Sequence, residues 1–228
     1  MELTPRLQTV YDMLSRGETF IDVGTDHAHL PIKLVESGKF KTATASDIAD
    51  GPLAAAKENI AAAGLEEKID SVLSDGFQRI APTGPFSAAI CGMGGEMIAS
   101  VLSSSPDVAH AAKELILQPM TKEERLRKFL WDNGYEITLE RAAAEGEKTY
   151  IAMAVRFTGR AISYSEAELY LGKEAALDPS PDMAARLETL ATRYEKIARS
   201  SGDEGFSTLA RAAGTLAEIV RRKTDERL

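Results

Sequence analysis

The sequence has one cysteine, Cys91, and three histidines in 228 residues. A single thiol excludes an internal disulfide framework and fits a reducing compartment. Metal chemistry has little to work with. Asp26-His27-Ala28-His29 resembles part of a metal site, but His110 lies far along the chain in a polar segment and no cysteine supports the cluster, so no metal is expected. No apolar run approaches the roughly 18–20 residues of a membrane span. Met1 to Pro5 lack the basic and apolar regions of a signal peptide. The expectation is a cytoplasmic protein without membrane contact, and nothing in the sequence demands a second copy. Also missing are G-x-G-x-x-G, a P-loop and a G-x-S-x-G elbow, which argues against the common dehydrogenase, NTPase and hydrolase classes. Positive charge is in deficit: 27 Lys and Arg against 35 Asp and Glu give a net charge of -8. That excludes a strongly basic, nonspecific nucleic-acid binder but leaves room for a local basic patch.

What is present reads as alternation. Thr4 as N-cap and Pro5 in the first turn open a helix over 5–15, with Leu7, Val10, Tyr11 and Leu14 at helical spacing. Strands are expected at Thr19–Val23, Thr42–Ser46, Ile69–Leu73, Phe86–Cys91 and Leu115–Leu117. Helices are expected from Ala28 to Ser37, from Gly51 to Ala63, from the Gly92-Met93-Gly94-Gly95 turn to Leu102, and over Lys122–Asn133. Tyr135–Ala142 and Thr149–Phe157 form a hairpin around a charged Glu145-Gly146-Glu147 turn. Such β-then-α order predicts an α/β fold: a mostly parallel, doubly wound, Rossmann-like sheet with helices on both faces. After Gly159 no strand is evident, and 165–177, 182–200 and 206–223 look helical. The expected domains are therefore 1–159, a sheet domain, and 160–228, a small helical extension. This tail carries 11 Lys and Arg against 12 Asp and Glu, so the acidity belongs to the sheet domain. Arg221-Arg222-Lys223 near its end reads most simply as a solvated helix face.

Ligands of doubly wound sheets bind beyond the carboxyl ends of the strands, near the topological switch point. The unusual turns of this chain fall at those ends. Gly24, after the first strand, lets a ligand approach the backbone. Asp22 and Asp26 flank it, which disfavours a phosphate cradle and suits a ligand with cationic groups. S-adenosylmethionine has two, a sulfonium and an ammonium. Asp47 follows the second strand, 23 residues beyond Gly24, where a carboxylate can accept from both hydroxyls of a ribose. Asp75-Gly76 follows the third strand, with Asp75 suited to an adenine amino group, and Gly92-Met93-Gly94-Gly95 follows the fourth. Each acid has a plainer reading: Asp22 as an internal residue bonding nearby amides, Asp47 as a helix cap. Cys91 reads as a small buried hydrophobe at a strand end.

Asp22-Val-Gly-Thr-Asp-His-Ala-His-Leu-Pro31, Asp47-Ile-Ala-Asp-Gly-Pro52, Ser74-Asp-Gly76, Cys91-Gly-Met-Gly-Gly95 and Leu115-Ile-Leu-Gln-Pro119 together resemble the TrmK family. Its members are bacterial tRNA methyltransferases that modify N1 of the adenine at position 22 with S-adenosylmethionine. Arg6-Leu7-Gln8-Thr9-Val10 resembles that family's first helix, and the likeness covers about residues 3 to 157 with a helical extension beyond. Thr25 and His29 stand where the family usually has Ser and Tyr, Asp47 where it has Glu, and Met120 where an Asn often follows Gln-Pro. The resemblance implies a class I methyltransferase with cofactor contacts at Asp22, Gly24, Asp26, His27, Asp47, Asp75, Gly76, Gly92, Met93 and Gly94.

Adenine N1 is a neutral nucleophile whose lone pair lies in the ring plane, so its methylation needs no prior deprotonation. The product ring is cationic. A carboxylate near the exocyclic amine stabilises that charge or accepts its proton, and Asp26 is the first candidate. For the RNA, the cluster over Lys122–Lys128 is favoured, with Arg125, Arg127 and Lys128 as phosphate contacts. Arg221–Lys223 is the second choice. Two other functions fit the same residues: methylation of a small molecule or protein, and a non-catalytic RNA-binding module that keeps the fold.

Overall fold

The computed structural model of the protein describes residues 2–173, 175 and 177–226. The chain opens with α1 (Pro5–Met13), in which the Thr4 hydroxyl accepts from the Leu7 amide. Then follow β1 (Gly17–Val23), α2 (His29–Glu36), β2 (Phe40–Asp47), α3 (Asp50–Ala62) and β3 (Ile69–Leu73). After them come β4 (Phe86–Gly94), α4 (Gly95–Ser104), α5 (Pro106–Ala111), β5 (Glu114–Thr121) and α6 (Glu123–Asp132). The hairpin β6 (Tyr135–Glu145) and β7 (Lys148–Phe157) precedes α7 (Glu166–Leu171), α8 (Pro181–Ser201) and α9 (Glu204–Asp225).

The seven strands lie in the order β3-β2-β1-β4-β5-β7-β6. The first five are parallel, whereas β7 runs antiparallel to both of its neighbours. The chain reverses its direction of travel across the sheet between β1 and β4, and the carboxyl ends at that switch point face the same side. Successive residues of the central strands feed opposite faces. Ile21, Val23, Ala88, Ile90, Leu115 and Leu117 belong to one core, while Phe20, Ala89 and Ile116 belong to the other. Burial on both faces explains why these strands read as apolar runs rather than as alternation.

Several elements differ from the sequence-based expectation. β4 and β5 continue past Cys91 and Leu117, through the glycine segment and through Gln118-Pro119. The ladder shifts register between Cys91 and Met93, then again between Met93 and Gly94. Gly92, at φ +78°, takes up that irregularity as a bulge, so a segment expected to be a loop stays paired. The short α5 was not anticipated. The first tail helix ends at Leu171 instead of running to 177, because Gly172 adopts φ +88° against the Glu140 carboxylate, where any Cβ would collide. Residues 174 and 176 of that expected helix lie outside the described residues.

The tail shares the core of the sheet. Leu171, Met183, Leu187, Tyr194 and Leu209 pack in one continuous cluster with Leu126, Trp131 and Met153. A buried ion pair fastens it. Arg127 is 1% exposed, donates through Nε to Glu140 Oε1 at 2.8 Å, and reaches the Leu169 carbonyl of α7 through Nη1 at 3.0 Å. This corrects the expectation that Arg127 contacts RNA: it lies buried on the inner face of α6, one turn from Trp131, with its Nε and Nη1 engaged inside the protein. Removing one partner of such a pair strands the other charge in a low-dielectric interior, at a cost of about 3–5 kcal/mol. Arg127→Ala should lower unfolding free energy by that amount in urea titrations, and a loss below about 1 kcal/mol would contradict the structural role.

Candidate active site

The turn after β1 is built from backbone and one buried carboxylate. The amides of Gly24 and Thr25 both donate to the Ser46 carbonyl, at 2.9 and 2.8 Å, so the turn is fastened to the end of β2. The Ser46 hydroxyl returns a bond to the Asp22 carbonyl at 3.0 Å. The Thr25 hydroxyl, itself buried, donates to Asp22 Oδ2 at 2.7 Å. Gly24 sits at φ +76° with Met93 Cε where a side chain would begin. His27 and Ala28 follow at φ +62° and +55°, a left-handed pair that launches α2. For residues with a Cβ this costs of order 1 kcal/mol each, a strain typical of functional turns.

These residues open on a cavity of about 410 Å³. Asp22, Gly24, Asp26, Asp47, Gly92 and Met93 line it, and so do Thr4, Arg6, Leu7, His29, Leu30, Cys91 and Met120. It therefore collects the carboxyl ends of β1, β2 and β4 together with the end of β5 and the start of α1. Four expected contacts stand elsewhere. His27 turns its ring to the exposed Asp26, with Nε2 3.1 Å from Oδ1, and its carbonyl accepts from Asn59. Asp75 is exposed beyond β3, Gly76 is covered by Val101, and Gly94 lies beside Thr121.

Three residues that the sequence reading left without a role here belong to the site. Gln118 is fully buried; its Oε1 accepts from Arg6 Nη1 at 2.8 Å and from the Gly92 amide at 3.2 Å. Its Nε2 donates to the Pro119 carbonyl at 2.9 Å, which sets the orientation of the amide. Arg6 also lies over the Tyr150 ring and pairs with Glu145, so α1 is held across the mouth of the cavity. Its guanidinium is the one permanent cation that lines the cavity among the described residues, opposite three carboxylates. Met120 closes the far side. In the sequence, Gln118 had a visible signal, a long amide directly after an apolar strand; Arg6 had none beyond its helix.

Burial pushes the Asp22 carboxyl up to about 6; the Thr25 hydrogen bond opposes that rise and the charge of Asp47 adds to it. Burial, with the charge of Asp22, also pushes the Cys91 thiol well up, so Cys91 is a protonated wall and no nucleophile. Among the described residues no group of side chains could hold a metal ion. A buried carboxylate that ionises reluctantly, beside two others and one guanidinium, matches a small zwitterionic ligand with excess positive charge. Such a ligand would supply the partner charge that Asp22 lacks.

The fold and this site define a methyltransferase of the Rossmann-like type. A family model described as a methyltransferase domain matches residues 3–153. The tRNA (adenine(22)-N(1))-methyltransferase of Bacillus subtilis (strain 168) is 29% identical over 233 residues, covering 99% of this chain and 98% of the relative. The Streptococcus pneumoniae protein Sp1610, solved in complex with S-adenosyl-L-methionine, superposes with a TM-score of 0.81 at 31% identity, covering 96% of this chain and 100% of that one. The B. subtilis tRNA methyltransferase TrmK superposes with a TM-score of 0.73 at 27% identity, covering 97% of this chain and 98% of that one. The chain belongs to the methyltransferase-domain family and, within it, to the TrmK family.

The raised Asp22 pKa has a consequence for stability. Folding raises it from the ordinary 3.8 to about 6, so the folded state binds this proton more tightly than the unfolded chain does. The stabilisation is complete below about pH 4 and is lost as pH rises through about 6. Between pH 5 and 7.5 that loss is about 1.4 kcal/mol. Ligand-free Asp22→Asn, whose amide oxygen can still accept from Thr25, should lose less stability than the parent over this interval by that amount. Identical urea profiles at the two pH values would contradict the burial of a reluctant carboxylate.

Proposed function

We propose that this protein transfers a methyl group from S-adenosyl-L-methionine to N1 of the adenine at position 22 of tRNA. The observation that carries the reading is the cavity at the ends of β1, β2 and β4, with Asp22, Asp26 and Asp47 facing Arg6, in a chain that matches TrmK proteins over its whole length. The residues present fit the cofactor. Asp22 is a buried carboxylate short of a counter-charge, and Gly24 puts bare backbone on the cavity wall with only the flexible end of Met93 over it. Asp47, whose Oδ1 already accepts from the Ala49 amide at 2.8 Å, keeps its second oxygen for ribose hydroxyls. Arg6 suits the methionine carboxylate.

The cofactor, when bound, supplies an activated methyl group on a sulfonium. The protein's own part is to hold the acceptor ring in line and to answer the charge that develops on it. Asp26, exposed at the cavity rim, accepts a hydrogen bond from the exocyclic amine or takes its proton. His27, 3.1 Å from that carboxylate, orients it. Cys91, Leu7 and Leu30 give the cavity dry walls that strengthen these interactions.

For tRNA contacts, Arg125 remains available on the exposed face of α6. Lys128 is engaged by Asp132 at 2.7 Å and by the Tyr164 hydroxyl at 3.1 Å, and the two bonds push its ammonium up to about 12. We assign catalysis to residues 1–159 and an RNA-orienting role to 160–228. No helix of the described residues is long and apolar enough to cross a membrane. A cytoplasmic location follows from the substrate and from the lone reduced thiol.

Incubation with labelled S-adenosyl-L-methionine and unmodified tRNA transcripts, followed by mass-spectrometric mapping, should find one methyl group on N1 of adenine 22. Methylation of a protein or small molecule instead, or no transfer at all, would overturn the assignment. Asp26→Asn should bind the cofactor as the parent does and slow single-turnover transfer on the order of 10²-fold. A near-parental rate would leave Asp26 as a turn residue. Asp47→Ala should weaken cofactor binding by roughly 1.5–3 kcal/mol in calorimetry, and unchanged affinity would remove it from the ribose.

A further inference from the structure

Met120, near the end of β5, lines the cofactor-side cavity and also the two cavities beyond it. One, of about 270 Å³, runs between the start of β7, with Lys148 and Tyr150, and α8, with Arg186 and Arg193. The other, of about 380 Å³, runs between the first turn of α6 and α8. Arg193, Leu190 and Glu123 border both, so the two form one trough that meets the cofactor side at Met120. The carboxylates at the ends of β1 and β2 occupy the opposite wall of the cofactor-side cavity. A methyl acceptor must approach in line with the departing sulfur, and Met120, at the end of β5, offers it the wall of the cavity away from Asp22 and Asp47.

The chemistry of the junction suits a base. The polar groups behind Met120 are already engaged: Gln118 gives Nε2 to the Pro119 carbonyl and, weakly, to the Met120 sulfur at 3.8 Å, while its Oε1 serves Arg6 and Gly92. What faces the opening is therefore a polarisable thioether with no strong donor, which can take the flat face of a purine and leave the N1 lone pair uncapped. The trough beyond is charged in a sparse pattern. Arg186 is neutralised by Glu123 at 2.8 Å and also donates to the Thr149 carbonyl. Lys148 and Arg193 are exposed and, among the described residues, have no hydrogen-bonding or ion-pairing partner for their side chains, while Glu147 and Glu124 sit on the same walls. Two free cations among carboxylates make discrete phosphate contacts rather than a continuous basic rail.

We propose that Met120 is the platform on which the acceptor adenine lies, and that the flanking RNA strand follows this trough with its phosphates at Lys148 and Arg193. The inference rests on the tRNA methylation proposed above. Its test uses the full chain and an unmodified tRNA transcript. Lys148→Ala combined with Arg193→Ala should weaken tRNA binding on the order of tenfold and flatten its salt dependence by one to two phosphate contacts, at roughly 0.7 in slope for each. Met120→Ala should slow single-turnover transfer at saturating tRNA and saturating cofactor on the order of tenfold, Met120→Leu should recover most of that rate, and cofactor affinity in calorimetry should match the parent in the Lys148 and Arg193 double variant. Parental tRNA affinity and salt slope in the double variant would overturn the trough. A parental rate in Met120→Ala, or a loss confined to cofactor affinity, would overturn the platform. A parent protein that methylates no tRNA would remove the reading beneath both, whereas one that methylates N1 while the variants behave as the parent refutes this inference alone.

Discussion

The bond from the Thr25 hydroxyl to the buried Asp22 carboxylate, 2.7 Å long, organises the rest of the site. It ties the end of β1 to the turn that follows. That turn is held to β2 by two amides on the Ser46 carbonyl, so strand, turn and neighbouring strand form one rigid corner. The corner exacts strain at His27 and Ala28 and a carboxyl that burial pushes up to about 6. Both are costs to the fold, and a cation in the cavity would offset the second. The protein is thus built around a deficit of positive charge at one point, which is the opposite of the phosphate-binding version of this fold.

The second organising constraint lies across the sheet. Arg127 and Glu140 form an ion pair with almost no solvent access, and Arg127 also holds the carbonyls that close α7. Gly172 has no side chain because the Glu140 carboxylate stands where one would be. The helices after β7 are therefore fixed to α6 and β6 by charge and by a shared apolar core, and α8 forms one wall of the trough that begins at Met120. An RNA bound by the tail would inherit its orientation toward the cofactor cavity from that buried pair.

Much of this was legible in the chain. The strand-turn-helix at Gly24 announces itself because a β-branched run, a glycine and small polar residues occur in succession, and the acids at 22, 26 and 47 fall where strands end. The parallel sheet follows from the β-then-α alternation and the antiparallel pair from its charged turn, whereas the strand order, with β7 inserted between β5 and β6, is set by tertiary packing. Other features were hidden for physical reasons. Glycines 92 and 94 look like loop residues because their freedom is the same whether spent in a loop or in a bulged ladder. Arg127 looks like its neighbours Arg125 and Lys128, yet residues one and two apart on a helix face different ways. Its spacing from Leu130 and Trp131 is the signal that it points inward. Arg6 and Gln118 meet only through tertiary structure, 112 positions apart, and no local pattern brings them together.

The central claim is that the glycine corner after β1 makes the cofactor site, and Gly24→Ala probes it directly. The added methyl would occupy the space of Met93 Cε at a backbone angle that L-residues rarely adopt. Calorimetric titration of the folded variant with S-adenosyl-L-methionine should detect no binding at concentrations that saturate the parent. Parental affinity in that variant would contradict the account, because the cofactor would then have to lie elsewhere.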